Sequence, residues 1–244
     1  EVHFAHPALL RSGTLDHLID RQTAICDLPF HEDCGLYLDH HLTNRPTPAQ
    51  EAEFEKAGGI CHWRDTPSAA RAAFDLMKDK LDLSHLEEVM PIVDALDSGG
   101  ISLEEFMEDG PIIRLSRSLS MSDPEHMQQV MQQFASGIEL EAILELHKNR
   151  LDDLKQERET MAMIVRDRTK IIDGLAICDL SETGYRSNGY LVTALAGPEA
   201  LACCVIHGYM DGSIEDVNRP ALGASFYANS FRGESNPYDL SILA

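Results

Sequence analysis

Residues 24–44 have the sequence AICDLPFHEDCGLYLDHHLTN, in which two short apolar runs are each followed by acids or histidines. The first run ends at Asp27, and the second ends at the consecutive Asp39, His40 and His41. Short apolar runs that alternate with helical patterns, as in the early part of this chain, are typical of a parallel sheet with helices on both faces. Ligands of such sheets bind at the carboxyl ends of the strands. We therefore expect these side chains to converge at one edge of an α/β domain.

The residue types at these two strand ends suit a divalent cation. Carboxylate oxygen and imidazole nitrogen are donors that bind Mn²⁺, Mg²⁺, Fe²⁺ or Zn²⁺. Adjacent histidines on an irregular turn can point in different directions, so that one binds the ion while the other donates a proton to a phosphate oxygen. Asp39 precedes both histidines, and its carboxylate can fix the tautomer of an imidazole by accepting a hydrogen bond. The pattern predicts a metal centre beside a phosphate site.

The net charge narrows the choice of partner. The 244 residues are 43% hydrophobic, as in ordinary globular proteins, but they contain 41 acidic and 20 basic side chains, a formal charge of −21. Binding of duplex DNA depends on Lys and Arg that neutralise phosphates, and anionic membranes attract basic segments for the same reason. An acidic chain fits neither partner. It remains compatible with a small anionic phosphate substrate, or a short single-stranded nucleic acid, whose charge is screened by metal ions or a local basic pocket.

Cysteine usage and hydropathy indicate the compartment. The six cysteines include no Cys-x-x-Cys pair and form no dense framework, which is typical of buried thiols in a reducing cytoplasm. No stretch approaches the roughly 18 apolar residues of a membrane span, and no charged-then-apolar leader opens the chain. We therefore expect a cytoplasmic protein.

The chain divides by pattern into three parts. Residues 1–120 form an α/β domain with a parallel sheet, and residues 169–244 form a second, smaller α/β domain. Between them, residues 121–168 are a helical linker. The pattern is helical from about Pro124 to Arg168, and a seam spaced by three and four over positions 140–165, with two polar interruptions, predicts one long helix. Its apolar seam either packs on the same chain or forms a coiled coil in a homodimer.

A resemblance to a known family rests on an ordered set of motifs. The triplet Asp39-His40-His41 follows a strand that ends at Asp27, and VDALDS follows at 93–98. Together they resemble the DHH phosphoesterase superfamily. The tail resembles the associated DHHA1 domain through ALGASFYANSFR at 221–232 and DLSILA at 239–244.

The resemblance implies metal-dependent hydrolysis of a small phosphodiester or phosphoanhydride: a short oligonucleotide, a cyclic dinucleotide, a nucleotide or a polyphosphate. In this family two divalent ions, for which Mn²⁺ is our expectation, activate a water and clamp the phosphate. Carried over to this chain, Asp27 matches the carboxylate that bridges the two ions, and His40 matches the imidazole on the second ion. Asp94 matches the acid that completes the shell of that ion, with Asp97 as the alternative.

The remaining candidate residues concern catalysis and the substrate. His41 resembles the histidine of the family that contacts the phosphate and is not a ligand, with Asp39 as its partner. Asn44 and Arg45 follow closely enough to touch the same anion. In the second domain Arg232 leaves a strand, and its planar fork suits a phosphate across the interdomain cleft.

The chain also departs from the family. Family members begin with a His-and-paired-Asp motif on the first strand and close the substrate pocket with a glycine-rich loop after the last helix. This chain starts after the first of these and ends before the second, and His3 and His6 have no partner acids. We interpret the sequence as truncated at both ends, and expect weak metal binding and little turnover of this fragment. The alternatives are an inactive homologue that binds or regulates, and an interaction scaffold that dimerises through the long helix.

Overall fold

A computed structural model describes residues 2–208 and 223–232 of the chain. The chain forms two compact units. The first contains the residues up to Ile101 together with Leu119–His147, and the second contains Ser102–Ser118 and the chain from Lys148 onward. The predicted bounds at residues 120 and 168 stay a prediction. The tail motif at 239–244, with the first two residues of the motif at 221–232, lies outside the described residues.

A three-stranded parallel sheet forms the centre of the first unit. Its strands lie in the order β1-β2-β3 and are Ala24–Cys26, Leu36–Asp39 and Ile60–Trp63. Cys26 pairs with Leu38, and Asp39 pairs with Trp63, so all three strands end at the same edge. The α/β class with a parallel sheet is therefore confirmed. The third strand was not predicted, because its four residues alternate too briefly to stand out between two glycines and a polar turn.

Helices in the described part of the chain are short, apart from one. They are α1 Pro7–Arg11, α2 Pro48–Lys56, α3 Ala69–Met77, α4 Met90–Asp97, α5 Leu103–Glu108, α6 Pro111–Ser118, α7 Pro124–Ala135, α8 Leu140–Leu146, α9 Lys148–Arg168 and α10 Gly189–Ala196. Single 3₁₀ turns lie at Asp16–Leu18, Leu42–Asn44, Ser84–Leu86, Gly197–Glu199 and Ser230–Arg232. None of the helices described is long and apolar enough to cross a membrane.

The two helices that border the sheet edge begin and end for local reasons. Helix α3 begins after Ser68, whose hydroxyl accepts the backbone N–H of Arg71 and so caps the helix. Helix α4 has Pro91 in its first turn, where the missing N–H costs no hydrogen bond. It ends at Asp97 because Gly99, two residues later, adopts a left-handed φ of 72°.

The core of the first unit holds β2 in place. Tyr37 is fully buried, and the ring of Phe30 contacts it edge to face with 5.2 Å between centroids. Phe30 contacts Phe54 of α2 in the same way at 5.2 Å. Ile25 and Cys34 belong to the same cluster. Each aromatic pair adds about 0.5–1.5 kcal/mol of stabilisation beyond that from the buried area. The position of β2, which leads to the site, is therefore firmly fixed.

The second unit contains a four-stranded mixed sheet in the order β4-β5-β6-β7. The strands are Thr169–Ile172, Leu175–Leu180, Ala202–His207 and Gly223–Ala228, and the central β5–β6 pair is parallel. A single strand is predicted over 171–178, but the structure has a hairpin there. Asp173 and Gly174 form its turn with φ of 48° and 82°, because Asp and Gly tolerate the left-handed region.

The predicted long helix is interrupted. The range that it covers contains α7, α8 and α9, and Gly137 at φ 78° follows the end of α7. Glycine in this conformation ends a helix, whereas the spacing of apolar residues continues across the break and hides it. Val165, near the end of α9, is fully buried in the core of the second unit, so this part of the seam packs on the same chain. A homodimer stays a prediction.

A substitution at Gly35 tests how tightly β2 is fitted. A Cβ atom at Gly35 would lie 2.1 Å from the carbonyl oxygen of Arg21, which is backbone and cannot move aside freely. We expect Gly35→Ala to lower the free energy of unfolding by about 1–3 kcal/mol. Gly110→Ala is the control, because a Cβ there meets no atom within 4 Å, and its effect should stay within about 0.5 kcal/mol. Urea titration followed by circular dichroism compares the two; equal losses would contradict the expectation.

Candidate metal centre

Two neighbouring strand ends bring the first site residues together. Asp27 follows β1, and its N–H donates to the carbonyl of Leu38 at 3.0 Å. Its φ of 59° lies in the left-handed region, which costs a residue other than glycine about 1–2 kcal/mol. Aspartate tolerates this region better than most residues, and such conformations cluster at functional sites. The turn places the Asp27 carboxylate beside the histidines that follow β2.

Asp39 organises the turn after β2. Its side chain is fully buried, and Oδ1 accepts the N–H groups of His40 at 2.6 Å and His41 at 3.0 Å. Oδ2 accepts the hydroxyl of Tyr37 and the amide of Asn44, both at 2.9 Å. Burial opposes ionisation of Asp39, but these hydrogen bonds outweigh it and lower its pKa. The buried carboxylate is therefore charged, and its bonds fix the backbone that carries both histidines.

His41 is oriented by two carboxylates. Its Nδ1 lies 2.9 Å from Oδ1 of Asp39 and 3.3 Å from Oδ1 of Asp27. The indole N–H of Trp63 donates to the carbonyl of His41 at 3.0 Å. The hydrogen bond to Asp39 raises the pKa of His41 despite partial burial, and the charges of Asp27 and Asp97 add to this effect. With Nδ1 bound to Asp39, the other ring nitrogen, Nε2, is available to a substrate, and the ring is 45% exposed.

His40 presents a bare nitrogen to two acids. Its Nδ1 lies 2.9 Å from the carbonyl of Thr66. Because a carbonyl can only accept, Nδ1 carries the proton, and in the neutral ring Nε2 holds a lone pair. Nε2 is buried without a hydrogen-bond partner, yet it lies 3.2 Å from Oδ2 of Asp97 and 3.7 Å from Oδ1 of Asp27. Nε2 of His40 and one oxygen of each carboxylate thus converge on the same place.

This donor set fits a divalent cation. Buried polar atoms in proteins nearly always have partners, and an ion between Nε2 of His40 and the two carboxylates supplies one. Asp27, Asp39, His40 and His41 each offer a ligand atom within 4.8 Å of the others. The oxygens of Asp39 already accept hydrogen bonds, which leaves Asp27 and Asp97 as the acids open to a cation. Burial is the largest cause that raises the pKa of Asp27, and the negative charge of Asp97 is the second. A bound cation would offset this concentration of negative charge.

The structure separates the two acids of α4. Asp97, predicted as the alternative ligand, is the acid that faces His40. Asp94, predicted as the first choice, forms an ion pair with Arg71 at 2.6 Å and accepts a hydrogen bond from Ser68 at 2.7 Å. The structure brings Asp27, His40 and Asp97 together and directs Asp94 elsewhere.

The predicted substrate residues have other contacts in the structure. Asn44 supports Asp39 through its amide, and its Oδ1 accepts a hydrogen bond from Arg11 at 3.2 Å. The guanidinium of Arg45 lies over the ring of Trp63, 4.2 Å from its centroid, and the same indole donates to the carbonyl of His41. In the second unit, Arg232 donates to the carbonyl of Pro198 at 3.0 Å.

Sequence reasoning missed three residues of this site: Thr66, Arg71 and Trp63. Trp63 is the single tryptophan of the chain and ends β3 at the same edge as Asp39. Recognition of β3 as a strand would have placed it at the site. Thr66 contributes a backbone carbonyl, and Arg71 acts through Asp94, so no local pattern of residue types marks either of them.

Comparison with known proteins finds a solved structure with the same fold. The sequence matches no protein-family model, and comparison with curated proteins finds no match. Among solved structures, a pGpG-specific phosphodiesterase, PggH from Vibrio cholerae, is similar with a TM-score of 0.72. The alignment covers 96% of this chain and 76% of that chain at 18% identity. The two chains share a fold. At this identity the similarity extends to the architecture and leaves the activity to be argued from the site.

Proposed function

We propose that this protein is a metal-dependent phosphodiesterase of the DHH superfamily. One observation carries the proposal: Nε2 of His40 is buried without a hydrogen-bond partner and faces the carboxylates of Asp97 and Asp27 at 3.2 and 3.7 Å. A histidine held in this way has an oriented nitrogen that is available to bind a cation. The fold shared with a phosphodiesterase supports the same conclusion.

Asp27, His40 and Asp97 hold the cation in this proposal. Mixed carboxylate and imidazole donors suit Mn²⁺, the ion that we expect, and the family resemblance implies a second ion. A bound divalent ion supplies Lewis acidity for the charge that develops on the phosphate. Asp39 does not bind the ion in this proposal, because five protein groups donate to its two oxygens.

His41 acts on the phosphate. Asp39 holds Nδ1 of His41, so Nε2 is directed to the substrate, and the raised pKa keeps the ring protonated at neutral pH better than an ordinary histidine. In the reaction a water oxygen bonds to phosphorus and loses a proton to the solvent, as the P–O bond to the leaving alcohol breaks. The imidazolium of His41 donates its proton to that leaving oxygen. Before this proton transfer the charge of Asp39 stabilises the protonated ring, and throughout the reaction its hydrogen bond fixes the orientation of the ring.

The substrate is a small anion with a phosphodiester bond. The charge of −21 disfavours duplex DNA and anionic membranes. The structural neighbour is named for its action on pGpG, a linear dinucleotide, and we propose a substrate of this class for the present chain. Arg45, exposed beside the turn that carries His41, is the candidate contact for a second phosphate. Arg232 of the second unit stays a candidate for the same role.

Hydrolysis of pGpG by the full-length protein tests the proposal. We expect turnover with Mn²⁺, none after chelation with EDTA, and recovery when Mn²⁺ is restored in excess. Turnover that survives chelation would contradict the mechanism. Binding of Mn²⁺ and pGpG without hydrolysis would instead identify an inactive homologue that acts as a binding protein. Product analysis by chromatography distinguishes cleavage of the internal phosphodiester from loss of the 5′-phosphate.

A further inference from the structure

The ion pair of Arg71 and Asp94 joins α3 to α4, the helix that ends at Asp97 of the candidate metal centre. Arg71 donates to Oδ2 of Asp94 through Nε at 2.9 Å and Nη2 at 2.6 Å. The hydroxyl of Ser68 donates to Oδ1 at 2.7 Å. Both oxygens of Asp94 are therefore occupied, and its side chain is only 15% exposed. Two guanidinium donors on one oxygen and a hydroxyl on the other fix the carboxylate more firmly than a single contact would.

One chain of hydrogen bonds connects this ion pair to His40. Ser68 accepts the N–H of Arg71 at 2.9 Å while it donates to Asp94, so its position depends on both residues. The hydroxyl of Thr66 donates to the carbonyl of Ser68 at 2.9 Å. The carbonyl of Thr66 accepts Nδ1–H of His40 at 2.9 Å. The turn at 66–68 therefore selects the tautomer of His40 that leaves its lone pair on Nε2.

A second connection leads from the ion pair to Asp97. Helix α4 carries both acids, one turn apart, and Ser98 closes its last turn on the carbonyl of Asp94. Arg71 belongs to the first turn of α3, so its contact with Asp94 attaches α4 to α3. The rotation of α4 about its axis, and with it the direction of Asp97, depends on this attachment.

We propose that Arg71 and Asp94 are positioning residues for the metal centre. Their ion pair holds Nε2 of His40 and Oδ2 of Asp97 3.2 Å apart as a preformed pair of donors. The inference rests on the proposed function in one respect: that the species bound at this site is a divalent cation. The tautomer of His40 follows from the protein contacts alone, and it can be measured without a metal.

Arg71→Met tests the proposal, because it removes both donors to Oδ2 of Asp94 and keeps an unbranched side chain. Lys78→Met is the matched control, since Lys78 follows the last turn of α3 and pairs with Asp75 in an exposed contact at 2.7 Å. Arg71→Lys keeps the charge but not the bidentate geometry, and serves as the milder variant if Arg71→Met does not fold. Long-range ¹H–¹⁵N spectra of the metal-free proteins report which nitrogen of His40 carries the proton. Electron paramagnetic resonance titration measures the dissociation constant of Mn²⁺.

We expect wild-type protein and Lys78→Met to show a single Nδ1–H tautomer of His40 and equal affinity for Mn²⁺. In Arg71→Met the Nε2–H tautomer should become populated, and the affinity should fall by about 10–100-fold, as for other residues that orient metal ligands. Arg71→Lys should lie between. An unchanged tautomer and an affinity within about twofold in a folded Arg71 variant would overturn the proposal. A shifted tautomer in a protein whose wild type binds no Mn²⁺ would support the positioning role and contradict the proposed function.

Discussion

His40→Ala is expected to lower Mn²⁺-dependent turnover by about 1,000-fold or more, because a lost ligand withdraws several kcal/mol of Lewis-acid stabilisation from the transition state. Titration should show a matching loss of Mn²⁺ affinity. We expect turnover and Mn²⁺ affinity to fall together, because Nε2 of His40 has no hydrogen-bond partner in the described residues. Its role is then to bind the cation. Steady-state kinetics and metal titration on the same preparation measure both.

The fold should survive this substitution. Removing a buried nitrogen that has no partner relieves a desolvation cost, which offsets part of the lost packing. Circular dichroism should therefore show an intact metal-free protein. His17→Ala is the matched control, since His17 is exposed in the turn Asp16–Leu18, and we expect it to retain both activity and affinity. Retention of full Mn²⁺ affinity by folded His40→Ala would exclude His40 as a ligand.

His41→Gln is expected to separate catalysis from metal binding. Glutamine can still donate a hydrogen bond to Asp39, but it cannot deliver a proton to the leaving oxygen. Loss of a general acid lowers turnover by about 100–10,000-fold, whereas the dissociation constant of Mn²⁺ should change by less than about threefold because Asp27, His40 and Asp97 remain. A collapse of metal affinity equal to that in His40→Ala would show that His41 is a ligand.

Two further measurements test whether His41 acts as the general acid. A substrate with a nitrophenolate leaving group needs no proton, so bis(p-nitrophenyl) phosphate should be hydrolysed by His41→Gln with a much smaller defect than pGpG. The pH dependence should also change. The pKa of His41 is raised above its ordinary value, chiefly by the hydrogen bond to Asp39, so the active protonated form persists to higher pH. Turnover of pGpG should fall as the pH rises through this pKa in wild type, and that limb should be absent in His41→Gln.

The strands of the first unit were predictable because their signals are local. Each apolar run of β1 and β2 is bounded by polar residues at the point where the strand ends, and parallel strands place those ends together. Asp27, His40 and His41 therefore meet as predicted. Strand β3 escaped prediction because it is short, and Trp63 was missed with it. The break after α7 escaped because the apolar spacing continues on both sides of Gly137.

The sequence by itself determined which residue types stand at the carboxyl ends of β1 and β2, and hence the donor groups of the site: carboxylates and imidazoles. The tertiary structure alone placed Asp97 beside His40 and paired Asp94 with Arg71. Residues three apart on a helix lie on nearly the same face, so their spacing cannot distinguish them. The contact of Arg71 with Asp94 sets the rotation of α4, and the carbonyl of Thr66 sets the tautomer of His40. Both contacts join segments that are distant in the chain, and no local pattern of residues encodes them.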